Sequence, residues 1–132
     1  ITRVTDVDKE EGEMGRKFTV PYGLYRAYGF VNPYLAEQTG FSEEDLKLLW
    51  EGLINAFQFD QSAARPAGSM AARKLIVFKH EKPLGNAPSH KLFERVQIKR
   101  KDPSKPPRDF SDYTVTVDWS NPPPGVELIE ML

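Results

Sequence analysis

Apolar and polar positions alternate along 15–31, GRKFTVPYGLYRAYGFV, with Phe18, Val20, Tyr22 and Leu24 falling to one side and Lys17, Thr19, Gly23 and Tyr25 to the other. That period predicts a β-strand with one core face and one face open to a ligand. Pro21 cannot donate to a ladder and Gly23 follows closely, so the same pattern predicts a bulge or a sheet edge. Asn32 and Pro33 end the strand, and Gly40 closes a short turn or helical segment. The period then changes. Over 42–59, Leu46, Leu49, Trp50, Leu53, Ile54 and Phe57 recur at helical spacing behind Ser42, which stands three residues before Asp45 as a capping box. Glu43 and Glu44 favour the positive end of that helix, and its apolar stripe is expected to cover a sheet or another helix.

Further along, 73–81 (RKLIVFKHE) predicts a strand apolar on both faces, as a central strand would be. A turn over 83–88 leads to a short helix near 89–94 and a strand over 96–101. The proline-rich linker 102–109, DPSKPPRD, precedes a last strand over 112–119 with Tyr113, Val115 and Val117 on one side. After NPPPG at 121–125, the apolar run 126–132 is either an edge strand or a docking arm. Residues 1–14 read as the end of a strand entering an acidic loop. Strand, helix, strand, short helix, strand is an α+β order in which a helix packs on a partial ferredoxin-like sheet, with a proline-rich C-terminal extension. The expected organisation is one domain over 1–132, with a core at 15–101.

Charge adds what the apolar pattern does not carry. Lysine and arginine number 18 against 19 acidic residues, for a net charge of -1. Segment 15–31 holds three cations and no anion, and 32–62 holds one cation and six anions. Segment 63–101 holds ten cations against Glu81 and Glu94. Such segregation creates a local positive field on a near-neutral chain and suits a polyanionic partner, although a solvated basic face has the same composition. The small-residue loop 61–72, QSAARPAGSMAA, lets backbone amides approach a phosphate, yet matches no nucleotide-binding fingerprint. Lys99, Arg100 and Lys101 read as a solvated strand end.

Other chemistry finds little support. There is no cysteine, which excludes thiolate metal sites and disulfides and agrees with a cytoplasmic setting. No apolar run is long enough for a membrane helix, and no secretory apolar region opens the chain. The two histidines, His80 and His90, fit no metal-ligand spacing, so neither a cofactor nor an enzyme is expected.

Taken together, 15–53, the loop beginning QSAAR with MAARKLIVFKHE after it, and LGNAPSHKLF resemble the C-terminal half of the type I-C (Dvulg subtype) CRISPR-associated backbone protein, the repeated subunit of the Cascade surveillance complex. The loop 65–70, RPAGSM, departs from the family's shorter Arg-Gly-x-Met form. The resemblance implies a modified RRM-like fold. Full-length members are longer, and the first residue is Ile1 rather than Met, so the chain is expected to be the C-terminal part of a larger protein. It further implies a non-catalytic subunit that holds the CRISPR RNA backbone and leaves base edges free for target DNA, beside further copies of itself and other Cascade subunits. Sequence reading is then delegated to base pairing. A grip indifferent to guide sequence uses cations on phosphate and stacking or apolar wedges on bases. The candidates are Arg16, Lys17, Tyr25 and Arg26 in the first segment, with Arg65, Ser69, Met70, Arg73 and Lys74 around the loop. The acidic residues 1–14 are expected to form one side of a finger-like insertion over a neighbour. Two alternatives stand beside this one. One is an endoribonuclease processing CRISPR RNA with His80 or His90 as acid or base. The other is an RNA-independent assembly module in which the acidic face of 32–62 meets a basic face of another copy.

Overall fold

The computed structural model describes residues 2–4 and 12–132. Six short strands and three α-helices follow in the order β1 (Thr2–Val4), β2 (Gly12–Met14), α1 (Pro33–Thr39), α2 (Glu43–Ile54), β3 (Ile76–His80), α3 (Ser89–Glu94), β4 (Val96–Arg100), β5 (Tyr113–Val117) and β6 (Val126–Glu130). The chain is α+β, and its described strands form three separate antiparallel pairs: β1 with β2, β3 with β6, and β4 with β5. The expectation for the acidic residues 1–14 falls in part outside the described residues.

The helices end where their capping chemistry says they should. Asn32 accepts from the Tyr34 amide to start α1, Pro33 stands where its missing N–H costs nothing, and Gly40 closes the helix at φ 75°. In α2, the Ser42 hydroxyl accepts from the Asp45 amide at 3.2 Å while the Asp45 carboxylate accepts from the Ser42 amide at 2.9 Å. The helix stops at Ile54, with Asn55 as its C-cap, short of the predicted Phe59.

Two expectations are corrected. Segment 15–31 forms no strand and bends at Pro21. Pro21 lacks a donor, and side chains rather than a ladder hold the segment in place. Lys17 donates to the Ala63 carbonyl, Arg26 donates to Phe93 and Val96, and Tyr22 lies 6.3 Å from Tyr113. The alternation survives only locally, with Tyr22 and Leu24 half-buried and Gly23 and Tyr25 exposed. Secondly, β3 is not central. Its described ladder partner is β6 alone, in the register Ile76↔Glu130 to His80↔Val126. The run 126–132 is thus an edge strand, extended at one end by Met131 N–H to Leu75 O at 2.9 Å and at the other by Glu81 N–H to Gly125 O at 2.9 Å.

The core gathers on α3. Leu92 is only 2% exposed and Val96 is buried just after it. Phe93 collects the rings around it: Tyr28 at 4.5 Å, Phe30 at 5.6 Å and Phe78 at 6.4 Å, with Trp119 a further 5.7 Å from Phe78. One aromatic cluster therefore joins segment 15–31, β3, α3 and the end of β5 through tilted and edge-on contacts. Arg95 seals the far side, donating to the carbonyls of Asp118, Ser120 and Asn121 while its guanidinium lies 5.4 Å from the Trp119 ring. No residue of α2 is buried, and Leu48, Leu49 and Leu53 stand open to solvent.

Candidate nucleic-acid interface

The nine predicted residues fall on two stretches that one bond brings together. The Lys17 ammonium donates to the Ala63 carbonyl at 2.9 Å, across 46 positions of sequence. That bond ties the cationic segment to the start of the loop that carries Arg65, Ser69 and Met70 and runs on to Arg73 and Lys74.

On the segment, Arg16 is exposed and makes no hydrogen bond or ion pair among the described residues. Tyr25 is 75% exposed, and its ring edge lies so near Gly23 that an added Cβ there would meet it at 3.1 Å. A side chain at position 23 would push the tyrosine aside, so glycine gives this ring its place. Arg26 is differently employed. Its guanidinium donates to Phe93 O at 2.7 Å and to Val96 O at 3.0 Å, and lies 4.9 Å from the Tyr28 ring. Phe18, 92% accessible, and Val20 are exposed apolar side chains on the same segment, and Phe30 is exposed on one side while its ring meets Phe93 on the other.

The loop is built on turns. Ser62 N–H donates to Arg65 O at 2.8 Å and Arg65 N–H returns to Ser62 O at 3.1 Å, while Ser69 N–H donates to Pro66 O across Gly68 at φ 76°. The Arg65 guanidinium pairs with Asp60 at 2.8 Å, which raises its pKa first through the hydrogen bond and then through the opposite charge. Met70 is half-buried. Arg73 stands 5.4 Å from the Phe110 ring, and Lys74 is exposed without a described partner. Arg16 and Lys74 thus make no side-chain hydrogen bond or ion pair among the described residues, Arg73 lies over Phe110 and near the Asp109 carboxylate, and Arg26 and Arg65 spend their donors inside the chain.

The two histidines lie apart, one engaged in a turn and one exposed. His80 Nδ1 accepts from the Asn86 amide at 2.9 Å, and the Asn86 side chain in turn accepts from Lys82 N–H, so this ring organises the turn after β3. His90 is exposed on α3. Among the described residues no three acidic or histidine side chains converge as a metal site. No helix is long and apolar enough to cross a membrane. A shallow groove between α1 and α2, lined by Thr39, Gly40, Phe41, Asp45, Leu48 and Leu49, offers apolar contact but no reactive group.

Sequence reasoning missed the residues that hold this surface in shape. Phe93 and Arg95 were not singled out, since the only sign of their roles is a phenylalanine in the last turn of a six-residue helix and an arginine at its C-cap. Compared with known protein families, residues 1–118 match the model for the CRISPR-associated protein Cas7. No curated protein matches the chain.

Proposed function

This chain belongs to the CRISPR-associated protein Cas7 family, the backbone subunits of Cascade-type complexes, and from that premise we propose that it grips the phosphate backbone of a CRISPR RNA as a non-catalytic subunit of a type I-C complex. The observation that carries the reading is the Lys17–Ala63 bond, which ties the cationic segment to the start of the small-residue loop. The exposed cations at Arg16, Arg73 and Lys74 and the exposed ring at Tyr25 support the same reading.

The roles divide by what each side chain has left to give. Arg16, Arg73 and Lys74 meet phosphate oxygens, Lys17 keeps the two stretches together, and Tyr25 stacks on a base. Ser69 presents its hydroxyl and Met70 an apolar wedge. Arg65 shapes the loop, and Arg26 positions the segment by holding it to α3. None of these groups reads a base edge, which suits a subunit that serves any guide sequence. Association with other Cascade subunits and further copies accompanies this role, with target DNA engaged through the guide.

Fluorescence anisotropy with two single-stranded RNAs of unrelated sequence, over a salt series, tests the reading. Equal affinities falling on a log–log slope of about -0.7 per neutralised phosphate are expected. An affinity that follows sequence, that ignores salt, or that is absent at low salt overturns it.

A further inference from the structure

The β4–β5 hairpin carries a second cationic surface that the guide grip does not use. In its ladder, Val96, Ile98 and Arg100 pair with Val117, Val115 and Tyr113. The alternate pairs, Gln97↔Thr116 and Lys99↔Thr114, are exposed on both strands. The outward face is therefore wholly polar, made of an amide, two hydroxyls and a lysine, and Lys101 continues the same alternation beyond the strand. Many solvated ladders look similar to this point. What sets this one apart is how the connection disposes of its acids and bases.

Residues 97–108 hold five cations and a single carboxylate, Asp102. That carboxylate is turned into its own loop, accepting from the Ser104 hydroxyl and from Ser104 N–H at 3.0 Å. Just beyond, Asp109 is occupied in the same way by Ser111, and Asp112 accepts from the amides of Arg108 and Asp109. Each acid near the hairpin tip thus serves the backbone, and no ion pair forms there; the described residues contain one ion pair, Arg65–Asp60. The side chains of Lys99, Lys101 and Lys105 are exposed and make no hydrogen bond or ion pair among the described residues. Arg100 and Arg108 donate to the neighbouring carbonyls of Pro103 and Pro107, and Arg100 also lies near the Asp102 carboxylate. Evolving carboxylates opposite these lysines would have been the simple way to neutralise them. Here the carboxylates of Asp102 and Asp109 are exposed but taken up by the serines of their own turns, with Arg100 near Asp102 and Arg73 near Asp109, and none of them forms an ion pair with Lys99, Lys101 or Lys105.

We propose that the outward face of the β4–β5 hairpin, centred on Lys99, Lys101 and Lys105 with Thr114 and Thr116 beside them, binds a phosphodiester backbone other than the one held by the guide grip. Alternate residues of an extended strand lie about 6.8 Å apart, on the scale of successive phosphates along a nucleic-acid strand, so Lys99 and Lys101 address neighbouring phosphates. The threonine hydroxyls supply neutral donors between them. With no ring on this face, nothing there stacks on bases, so the contact is to backbone alone. Arg73 over Phe110 brings the edge of the guide grip to the connection at the tip of this hairpin, so the two sites adjoin.

The test separates this site from the grip. Labelled single-stranded RNA, single-stranded DNA and duplex DNA of one length are titrated against the full chain, an Arg16→Gln/Lys74→Gln variant, a Lys99→Gln/Lys101→Gln/Lys105→Gln variant and the combination. The grip variant is expected to retain binding, and adding the three hairpin changes is expected to abolish it. In the parent chain the hairpin changes lower the salt slope by about 2 for single strands or nearly 3 for duplex, which also identifies the strand type preferred. A grip variant that no longer binds, or whose residual binding ignores the hairpin changes, overturns the proposal. Binding by the grip variant equal to the parent's sinks the proposed guide grip instead, and leaves the hairpin site standing if the three changes still remove it.

Discussion

Replacing Arg26 should loosen the whole of segment 15–31, because that segment has no ladder to fall back on. The guanidinium makes two charge-assisted hydrogen bonds to backbone carbonyls at 2.7 and 3.0 Å and lies 4.9 Å from Tyr28. Two such bonds contribute roughly 1 kcal/mol each when partly open to water, below the range for sheltered charged pairs. The ring contact adds about 0.5–1 kcal/mol. Freeing the side chain returns about 1–2 kcal/mol of rotamer entropy, so the net loss for Arg26→Gln is on the order of 1–2 kcal/mol. A chain of 132 residues has an unfolding entropy of about 0.28 kcal/mol/K, which converts that loss into a fall of about 4–7 °C in Tm. Calorimetry measures the fall, and limited proteolysis locates it: cleavage should rise within 15–31 before it rises in the β4–β5 hairpin. Arg26→Lys restores part of the loss at most, since an ammonium cannot fork between two carbonyls. Crossing it with Tyr28→Leu should expose a coupling of about 0.5–1 kcal/mol. An Arg26→Gln protein melting within about 1 °C of its parent, with unchanged proteolysis, would refute the idea that this side chain anchors the segment.

Other outcomes can be checked alongside it. Leu92→Ala, at the most deeply buried position, should cost about 2–4 kcal/mol by urea denaturation, and a cost under about 1 kcal/mol would mean that the core lies elsewhere. Gly125→Ala should destabilise by more than about 1 kcal/mol, because φ is 78° there and a Cβ would clash with the Asn86 side-chain amide; chemical denaturation reads it. Asp102, Asp109 and Asp118 are held below the ordinary 3.8 chiefly by the hydroxyls of Ser104, Ser111 and Ser120, and Asp45 by the Ser42 amide and then its hydroxyl. Their folded carboxyls lose protons more readily than unfolded ones, so their stabilisation is full above pH about 4 and disappears as pH falls through the folded values. Tm measured from pH 2 to 7 should therefore drop on the acid side, and Asp118→Asn should shallow that drop; an unchanged acid limb contradicts the assignment.

Elements whose signals are local could be read from sequence. The α2 start was legible because Ser42, Asp45 and the first-turn acids sit within four residues of one another, and α3, β4 and β5 fell close to their predicted bounds. Segment 15–31 was misread for the opposite reason. Its composition satisfies the strand template, but a strand also needs a partner, and nothing in the segment names one. The acceptors that hold Arg26 are backbone carbonyls up to 70 positions away, and a carbonyl carries no residue signature. The same limit applied to the candidate grip. The cations were legible by type, while which of them remained free depended on Asp60, Phe93 and Val96 arriving from elsewhere. The repeated Asp-x-Ser spacing at 102, 109 and 118 was a readable sign that the acids of the last third fold back on their own turns, and it is what leaves the hairpin lysines exposed.

The β3–β6 pairing has a consequence for how the chain reaches its native state. Between these two strands lie α3, the whole β4–β5 hairpin and the Asn121–Gly125 turn, so the pair closes the longest described ladder loop. Contacts of that separation form late, after the entropy of the intervening chain has been overcome. During synthesis, β3 emerges with its apolar residues Ile76, Val77 and Phe78 and must wait for β6, while the β4–β5 hairpin can assemble at once. A ribosome-bound intermediate with an unpaired β3 edge is the species most exposed to wrong pairing with a neighbouring nascent chain. Premature release before Val126 would trap the molecule in that condition, which makes completion of the tail a checkpoint on folding.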